Sequence, residues 1–284
     1  MNKEKIALLV DSGSDVPSDL IEKYNMYLAP LKIVYRDQEY IDGIEITTEE
    51  VLNRLEKEIP TTSLPTGETI QNIFKEIKDD GYEKVLAVTL SSGLSGTYNS
   101  IRLLAEQQDD LDIFVLDTKN ISIASGFNAI QAAKYIKEGM DWERLIETVS
   151  KNIGNSKVYF TVSTLDYLRV GGRIGRVASL LGSHLNIRPI ISCNEEGIYY
   201  SVRKVRGEKR SIKKAIDLAV KHVGKAKDYN IGVVHAGAKE KADKIRERLI
   251  SKLPNYDALV SGEISPVLSV HTGPGSIGIV VQTL

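Results

Sequence analysis

The segment 91–98 carries the side chains best suited to holding an anion. Between positions 91 and 97 it has two glycines and four hydroxyl residues, which are Ser91, Ser92, Ser95 and Thr97. It follows an apolar run and opens a helical pattern, where backbone N–H groups lack intrahelical partners and the helix dipole adds positive potential. One hydroxyl would be enough to cap this helix. The excess favours an anion site built without a cationic side chain.

Two other polar clusters also follow or precede regular elements. Thr61, Thr62 and Ser63 stand before a helix that begins near Thr66. They form an ordinary loop with Thr66 as its cap, or they supply further donors to a shared anion. The cluster 11–15 follows the first apolar run, at the edge of a parallel sheet where ligands bind. Its two aspartates suit either a cation or a turn held by side-chain hydrogen bonds.

Two later segments bring arginine and histidine next to glycine. The segment 169–176 contains three arginines, which are bidentate anion donors, and three glycines, which allow close approach of the backbone. It lacks the GxGxxG spacing, so a dinucleotide site is not favoured. The segment 270–275 is predicted to be a turn. It presents His271 either as a hydrogen-bonding or acid–base group or in a purely structural role.

The elements that must position these segments alternate in the first half of the chain. Short apolar runs predict strands at 6–10, 31–35, 84–90 and 113–116. Amphipathic patterns predict helices at 17–24, 47–58, 66–78, 97–107 and 122–137. Thr47 and Glu50 fit a capping box. This alternation predicts an α/β domain with a parallel sheet.

The second half has more strands and fewer helices. Strands are predicted at 158–162, 190–192, 198–205, 231–235, 258–263 and 276–283, and helices at 212–223 and 240–253. The turn 194–197 predicts a hairpin, and hence a mixed-sheet α/β domain. We expect a boundary near Gly154, between an N-terminal domain at 1–154 and a C-terminal domain at 155–284.

The composition excludes several classes of protein. With 42% hydrophobic and 26% charged residues, the 284-residue chain can form a packed core. One cysteine excludes an intramolecular disulfide and a cysteine-rich zinc site, and four scattered histidines make a transition-metal centre unexpected. Neither a metal nor a cofactor is therefore predicted. The N-terminal apolar run ends at Asp11, too early for a signal peptide, so a soluble cytoplasmic protein is expected.

Charge is distributed unevenly along the chain. The overall net charge is −1, whereas the segment 169–227 has 14 Lys and Arg residues against 4 Asp and Glu. This segment is either a solvated basic face or a docking surface for an acidic partner or a phosphate-bearing ligand. Few aromatic residues lie within it, and nucleic acid is not an expected partner.

Taken in order, the polar segments resemble the DegV family, bacterial fatty-acid-binding proteins that include the binding subunits of fatty acid kinase. The resemblance runs nearly end to end. It rests on the segments 10–15, 62–66, 91–98, 171–174 and 271–275.

The resemblance implies a two-domain α/β fold with one long-chain fatty acid between the domains and its tail in an apolar tunnel. The N-terminal domain, 1–154, would carry the carboxylate-binding loops, and the C-terminal domain, 155–284, would form the acyl-tail pocket. The family's carboxylate ligands match Thr62 and Ser95. Arg173 and His271 match positions near the carboxylate and the kinase-facing surface. The supporting residues implied nearby are Ser63, Ser92, Gly96 and Thr272.

The resemblance also implies that the protein itself does no catalysis. It presents the carboxylate to a separate ATP-dependent fatty acid kinase subunit, which forms an acyl phosphate for phospholipid synthesis. Transient contact with a membrane is compatible with this role. Leu64 stands where relatives often have a polar residue.

The residues leave three other functions open. An acyl hydrolase or acyltransferase would use Ser95 as nucleophile, His271 as base and Asp11 or Asp117 as orienting acid, although 93–97 is not GxSxG. A dihydroxyacetone kinase-type subunit would bind its substrate covalently through His271. A DNA-binding protein would use 169–227, where phosphate contacts alone give salt-sensitive, nonspecific binding.

Overall fold

The computed structural model describes residues 2–181 and 187–284. The basic segment 169–227 therefore includes five positions, 182–186, that lie outside the described residues. In the two described ranges, no helix has the length and apolar character needed to cross a bilayer.

The described residues form the following elements. The strands are β1 (Ile6–Asp11), β2 (Met26–Ala29), β3 (Lys32–Val34), β4 (Glu39–Ile41), β5 (Thr61–Ser63), β6 (Lys84–Thr89), β7 (Asp112–Asp117), β8 (Ser156–Thr161), β9 (Ile187–Cys193), β10 (Tyr199–Arg206), β11 (Tyr229–His235), β12 (Ala258–Glu263) and β13 (Ile277–Thr283). The helices are α1 (Ser18–Lys23), α2 (Thr48–Arg54), α3 (Gly67–Asp79), α4 (Thr97–Ala105), α5 (Ser122–Lys137), α6 (Trp142–Asn152), α7 (Asp166–Val170), α8 (Glu208–Val223), α9 (Lys239–Lys252) and α10 (Pro266–Thr272). Short 3-10 helices lie at Ser12–Ser14, Ile153–Asn155 and Gly175–Leu180.

The N-terminal half contains a four-stranded parallel sheet in the order β2-β1-β6-β7. All six residues of β1 are buried, as expected for a parallel strand that is covered on both faces. One face packs against α3 and α4 through side chains such as Phe74 and Ile101. The other packs against α5 and α6 through side chains such as Ala129 and Trp142. This confirms the predicted parallel α/β architecture.

The C-terminal half contains a six-stranded sheet in the order β10-β9-β8-β13-β11-β12. Among the strand pairs of this sheet in the described residues, only β11–β12 is parallel. The predicted hairpin is present, with Tyr199 opposite Cys193 and the turn closed by the Gly197 N–H donating to the Asn194 carbonyl. The mixed-sheet prediction is therefore confirmed. The division at 154/155 stays a prediction.

Helix α5 lies between the two sheets, and this explains why it is buried nearly all round. Twelve of its sixteen residues are buried. The Ala124 carbonyl accepts hydrogen bonds from Ser156 Oγ at 2.7 Å and Asn128 Nδ2 at 2.9 Å, so these two polar side chains are paired inside the layer. The hydrophobic core around α5 includes residues from both halves of the chain.

The structure differs from the predicted elements at several short segments. β3 pairs with β4 and β5 in a small antiparallel sheet, so the predicted loop at 61–63 is an edge strand. The predicted turn around His271 was wrong in part, because 266–272 form helix α10. Pro266 begins this helix, and Gly273, with φ of +71°, ends it. The capping box at Thr47 is confirmed, but α2 ends at Arg54, four residues before the predicted end.

Candidate functional site

Four of the five polar segments singled out in the sequence meet around one cavity of about 180 Å³, and the 11–15 cluster does not line it. It lies between β5, the loop before α4, the residues after α7, and α10. Its lining comprises Leu31, Thr62, Ser63, Leu64, Leu90, Leu94, Ser95, Gly96, Ile121, Arg173, Tyr199, Val267, Leu268 and His271. Six of the eight predicted site residues are thus brought together, because the lining includes Thr62, Ser63, Ser95, Gly96, Arg173 and His271.

Thr62 and His271 form the central polar contact of this cavity. Thr62 Oγ1 lies 2.8 Å from His271 Nε2. Thr62 is held by the pairing of β5 with β3, opposite Ile33, and His271 by the last turn of α10. The contact joins residues 209 positions apart, so it exists only when the small sheet packs on the C-terminal half.

His271 is neutral in this environment. Burial, with a further contribution from the Arg173 charge, lowers the pKa of the imidazole to about 3. Its Nδ1 atom is buried and has no hydrogen-bond partner among the described residues. An N–H there would lack an acceptor, so the tautomer with N–H on Nε2 is favoured. The Nε2–H then donates to Thr62, and the Thr62 hydroxyl proton is free to point at a ligand.

Gly171 determines how closely the chain approaches this imidazole. A Cβ atom at position 171 would lie 2.1 Å from His271 Nδ1, well inside contact distance. The φ of Gly171 is −73°, which any residue adopts, so the glycine is required by space and not by its backbone angle. The close backbone approach predicted for the glycines of 169–176 is therefore present at Gly171.

Ser95 supplies the second hydroxyl of the cavity from the turn before α4. Its Oγ atom lies 2.9 Å from Thr97 Oγ1 and accepts from the Thr97 N–H at 3.3 Å. Gly96 is the residue at the helix N-terminus and makes no side-chain cap. The positive end of the α4 dipole therefore faces the same space as the Ser95 hydroxyl.

Arg173 connects two walls of the cavity. Its Nε atom donates to the Leu94 carbonyl at 3.2 Å, and its Nη1 atom donates to the Gly171 carbonyl at 2.7 Å. These bonds orient the guanidinium, while its charge stands beside the Thr62–His271 pair. An anion bound between the hydroxyls would gain from this charge without needing to pair with it directly.

The other predicted residues are placed as follows. Ser63 lines the cavity, but its hydroxyl bonds to the Leu64 carbonyl at 3.3 Å. Ser92 lies outside the lining, where its Oγ atom accepts from Lys119 Nζ at 3.1 Å. Thr272 also lies outside it and donates to the Leu268 carbonyl at 3.1 Å. Leu64 is 38% exposed and packs over Gly96, so it covers the outer side of the cavity.

The inner side of the cavity is apolar. Leu90, Ile121 and Leu268 are buried there, and Tyr199 is neutral because burial raises its pKa well above the ordinary value. Beyond Ile121 and Leu268 lies a second cavity of about 20 Å³, which includes Phe160 in its lining. The sequence predicted strands at Leu90, Phe160 and Tyr199 and assigned none of these residues to a site. Their buried, apolar character was the available signal.

The residues of the hydrolase hypothesis are not assembled into a catalytic relay. His271 Nε2 contacts Thr62, and its Nδ1 atom lacks the acidic partner that a serine hydrolase needs, among the residues described. Asp11 accepts from the Leu90 N–H at 2.7 Å, and Asp117 pairs with Lys119 at 2.6 Å. The geometry favours a site that binds an anion over one that attacks an ester.

The aspartates of the 11–15 cluster take the hydrogen-bonded alternative. Asp11 also accepts from Ser14 Oγ at 3.0 Å, and Asp15 accepts from the Ser265 N–H at 2.9 Å. Burial raises the pKa of each carboxyl to about 7. In residues 2–181 and 187–284, no group of three or more acidic, histidine or cysteine side chains has the arrangement of a metal site.

Comparison with known proteins identifies the family. The profile described as uncharacterised protein, DegV family, matches residues 5–284. A DegV domain-containing protein from Clostridium acetobutylicum is 43% identical over 278 residues, which cover 98% of this chain and 99% of that relative.

Solved structures give the same result. A DegV family protein from Thermus thermophilus, described by its fatty acid binding, superposes with a TM-score of 0.93 at 27% identity and covers 100% of both chains. A stearic acid-binding protein from Eubacterium ventriosum gives a TM-score of 0.88 at 26% identity and covers 98% of both chains. Since a family profile and a 43% identical relative both span almost the whole sequence, this chain belongs to the DegV family.

Proposed function

We propose that this protein binds one long-chain fatty acid, with the carboxylate at Thr62 and Ser95 and the tail against Leu90, Ile121 and Leu268. The observation that carries this proposal is the composition of the cavity. Two hydroxyls and a neutral imidazole stand at its outer end, and apolar side chains line its inner end.

The chemistry of this lining suits a fatty acid. Hydroxyl donors and helix-start amides stabilise a carboxylate without leaving a buried cation unpaired when the site is empty. Burial of the tail contributes about 0.8 kcal/mol for each CH₂ group. A C16 chain would therefore be retained mainly by its tail, and the head group would fix its orientation.

Two relatives support this ligand class. The Thermus protein is described by its fatty acid binding, and the Eubacterium protein by binding stearic acid. Both superpose over nearly the whole length of this chain, including the elements that build the cavity. The position of the carboxylate at Thr62 and Ser95 is a proposal for this chain.

The proposed role is to present the carboxylate to a separate ATP-dependent kinase and to do no catalysis itself. In that reaction a carboxylate oxygen attacks the γ-phosphorus of ATP, the bond to the bridging oxygen breaks, and acyl phosphate and ADP are the products. Leu64 and Arg173 border the cavity on its outer side, where a partner could approach. The Thr62–His271 pair would hold the carboxylate there.

Native mass spectrometry of the purified protein tests the binding proposal. We expect one long-chain fatty acid per chain, identified after extraction. A protein that carries a phosphosugar or nucleotide instead, or that takes up no added palmitate, would refute it. An ester-substrate assay addresses the hydrolase alternative: turnover that is lost in Ser95→Ala would replace the carrier proposal.

The role of the hydroxyls is tested with Thr62→Ala and Ser95→Ala. Each variant loses a hydrogen bond worth on the order of 1–2 kcal/mol, while the tail contacts remain. We expect retained palmitate but slower acyl-phosphate formation with a fatty acid kinase subunit and ATP, measured by trapping with hydroxylamine. Thr61→Ala, an exposed hydroxyl on the same strand, is the matched control. Equal losses in palmitate binding and in phosphorylation would contradict the proposal.

A further inference from the structure

Carboxylates from the first half of the chain cap the N-terminus of α10. The Ser265 N–H donates to Asp15 Oδ1 at 2.9 Å, and the Val267 N–H donates to Asp42 Oδ1 at 2.8 Å. The two pairs span 250 and 225 residues of sequence. Pro266, between them, has no N–H, and the N-cap residue Ser265 makes no side-chain cap. Two distant aspartates therefore take the donors that this helix leaves free.

These contacts lie in a region where unpaired groups are costly. Every residue of α10 is buried, and Asp42 is only 1% exposed. A buried N–H without a partner loses its hydration with no compensating bond, and negative charge is favourable at a helix N-terminus. Because these caps are buried, they restrict the position of α10 more strongly than exposed caps would.

The other end of α10 reaches the ligand cavity. His271 lies one turn beyond Val267, about 6 Å along the helix axis. Gly273 then ends the helix against α7, where a Cβ atom at position 273 would lie 2.1 Å from the Tyr167 ring. The helix is thus held at both ends.

We infer that Asp15 and Asp42 are positioning residues, which hold α10 where His271 meets Thr62 and so orient the Thr62 hydroxyl towards the ligand. Neither aspartate lines the 180 Å³ cavity, and both act through the backbone of α10. The inference deepens the proposed function and rests on it, since it assigns these residues a part in orienting the carboxylate.

The test measures His271 directly, by ¹⁵N NMR of the imidazole in the delipidated protein, and the C1 resonance of bound [1-¹³C]palmitate. Thr62→Ala gives the shift expected when the contact is lost. In Asp42→Ala we expect the His271 Nε2 resonance to shift in the same direction as in Thr62→Ala, by at least half of that shift. The C1 resonance of palmitate should shift as well, while palmitate stays bound. Asp42→Asn retains an acceptor oxygen and should restore both signals.

The matched control is Thr48→Val, which removes a buried bond of 2.7 Å to the Ile264 carbonyl at the same junction but leaves both caps intact. Wild-type His271 signals in folded Asp42→Ala would overturn the inference, as would equal shifts in Thr48→Val. If Asp42→Ala does not fold, Asp15→Gly carries the test, because glycine tolerates the φ of +49° at that position. The imidazole signal is measured without lipid, so failure of palmitate binding would refute the proposed function separately.

Discussion

The Nε2 atom of His271 and the Oγ1 atom of Thr62 are 2.8 Å apart, although 209 positions separate them in the sequence. The pair combines a neutral imidazole with a strand hydroxyl at the polar end of an otherwise apolar cavity. Because the ring's other nitrogen has no partner among the described residues, the imidazole donates to Thr62 and the Thr62 proton is left for a ligand.

Gly171→Ala is predicted to disrupt this pair without straining the backbone. The added methyl group would lie 2.1 Å from His271 Nδ1, so the imidazole must leave the position in which it contacts Thr62. We expect a cost of about 1–3 kcal/mol in the free energy of unfolding and a shifted His271 ¹⁵N resonance. Urea unfolding and NMR measure the two effects. Gly154→Ala, where nothing lies within 4 Å of the added Cβ, is the control, and equal behaviour of the two variants would show that the close approach has no effect.

His271 is predicted to show no titration step between pH 5 and pH 8. Burial and the Arg173 charge hold its pKa near 3, so the ring stays neutral throughout this range. Arg173→Gln removes the Arg173 charge, the smaller of these two causes, and should raise the pH at the midpoint of the His271 titration. Side-chain ¹⁵N shifts recorded against pH provide the measurement. A midpoint near 6.5 in the wild-type protein would mean that the site is hydrated and that the tautomer assignment is wrong.

Gly197→Ala is predicted to detach the β9–β10 turn from the loop that carries Ser95. Ser91 Oγ donates to the Gly197 carbonyl at 2.9 Å. A Cβ atom at position 197 would lie 1.8 Å from Ser91 Oγ. Gly207→Ala is the matched control, since Gly207 also has a positive φ but has open space around its Cβ position. Both variants carry backbone strain, and the clash should cost Gly197→Ala about 1–3 kcal/mol more. Identical urea midpoints for the two variants would contradict this.

Asp11→Asn is predicted to stabilise the protein increasingly as the pH rises. Burial raises the pKa of Asp11 from 3.8 to about 7, so between these values the folded protein binds more protons than the unfolded chain. The stability contributed by this group is therefore fully present below pH 4 and is lost as the pH rises through 7. Asparagine does not ionise and avoids this loss.

The measurement is the difference in the free energy of unfolding between Asp11→Asn and wild type at pH 5 and pH 8. We expect it to change by on the order of 2 kcal/mol in favour of the variant. Titration of His271 is common to both proteins and cancels in the difference. A constant difference across this range would show that folded Asp11 does not titrate with a pKa near 7.

Much of the architecture was predictable because it depends on local patterns. The fully buried run at β1, the capping box at Thr47 and the 194–197 hairpin turn all follow from periodicity or turn chemistry within a few residues. The fold class and the family are confirmed. The assignment of the carboxylate to Thr62 and Ser95 stays a prediction, now with both hydroxyls in one cavity.

Short elements were missed for a physical reason. β5 has three residues and α10 has seven, too few to show a clear period, and neither would be stable alone. β5 is paired with β3, and α10 is capped by Asp15 and Asp42 inside a buried junction. The sequence contains these residues but no local sign of their pairing.

The sequence by itself determined which chemical groups are available: hydroxyl clusters next to helix starts, a histidine two residues before Gly273, and enough apolar residues for two covered sheets. Only the tertiary structure decided that Thr62, Ser95, Arg173 and His271 face one space and that Ser92 and Thr272 do not. The reason is that the direction of a side chain on a short element depends on long-range strand pairing and helix packing. Those contacts join residues up to 250 positions apart, which no local pattern specifies.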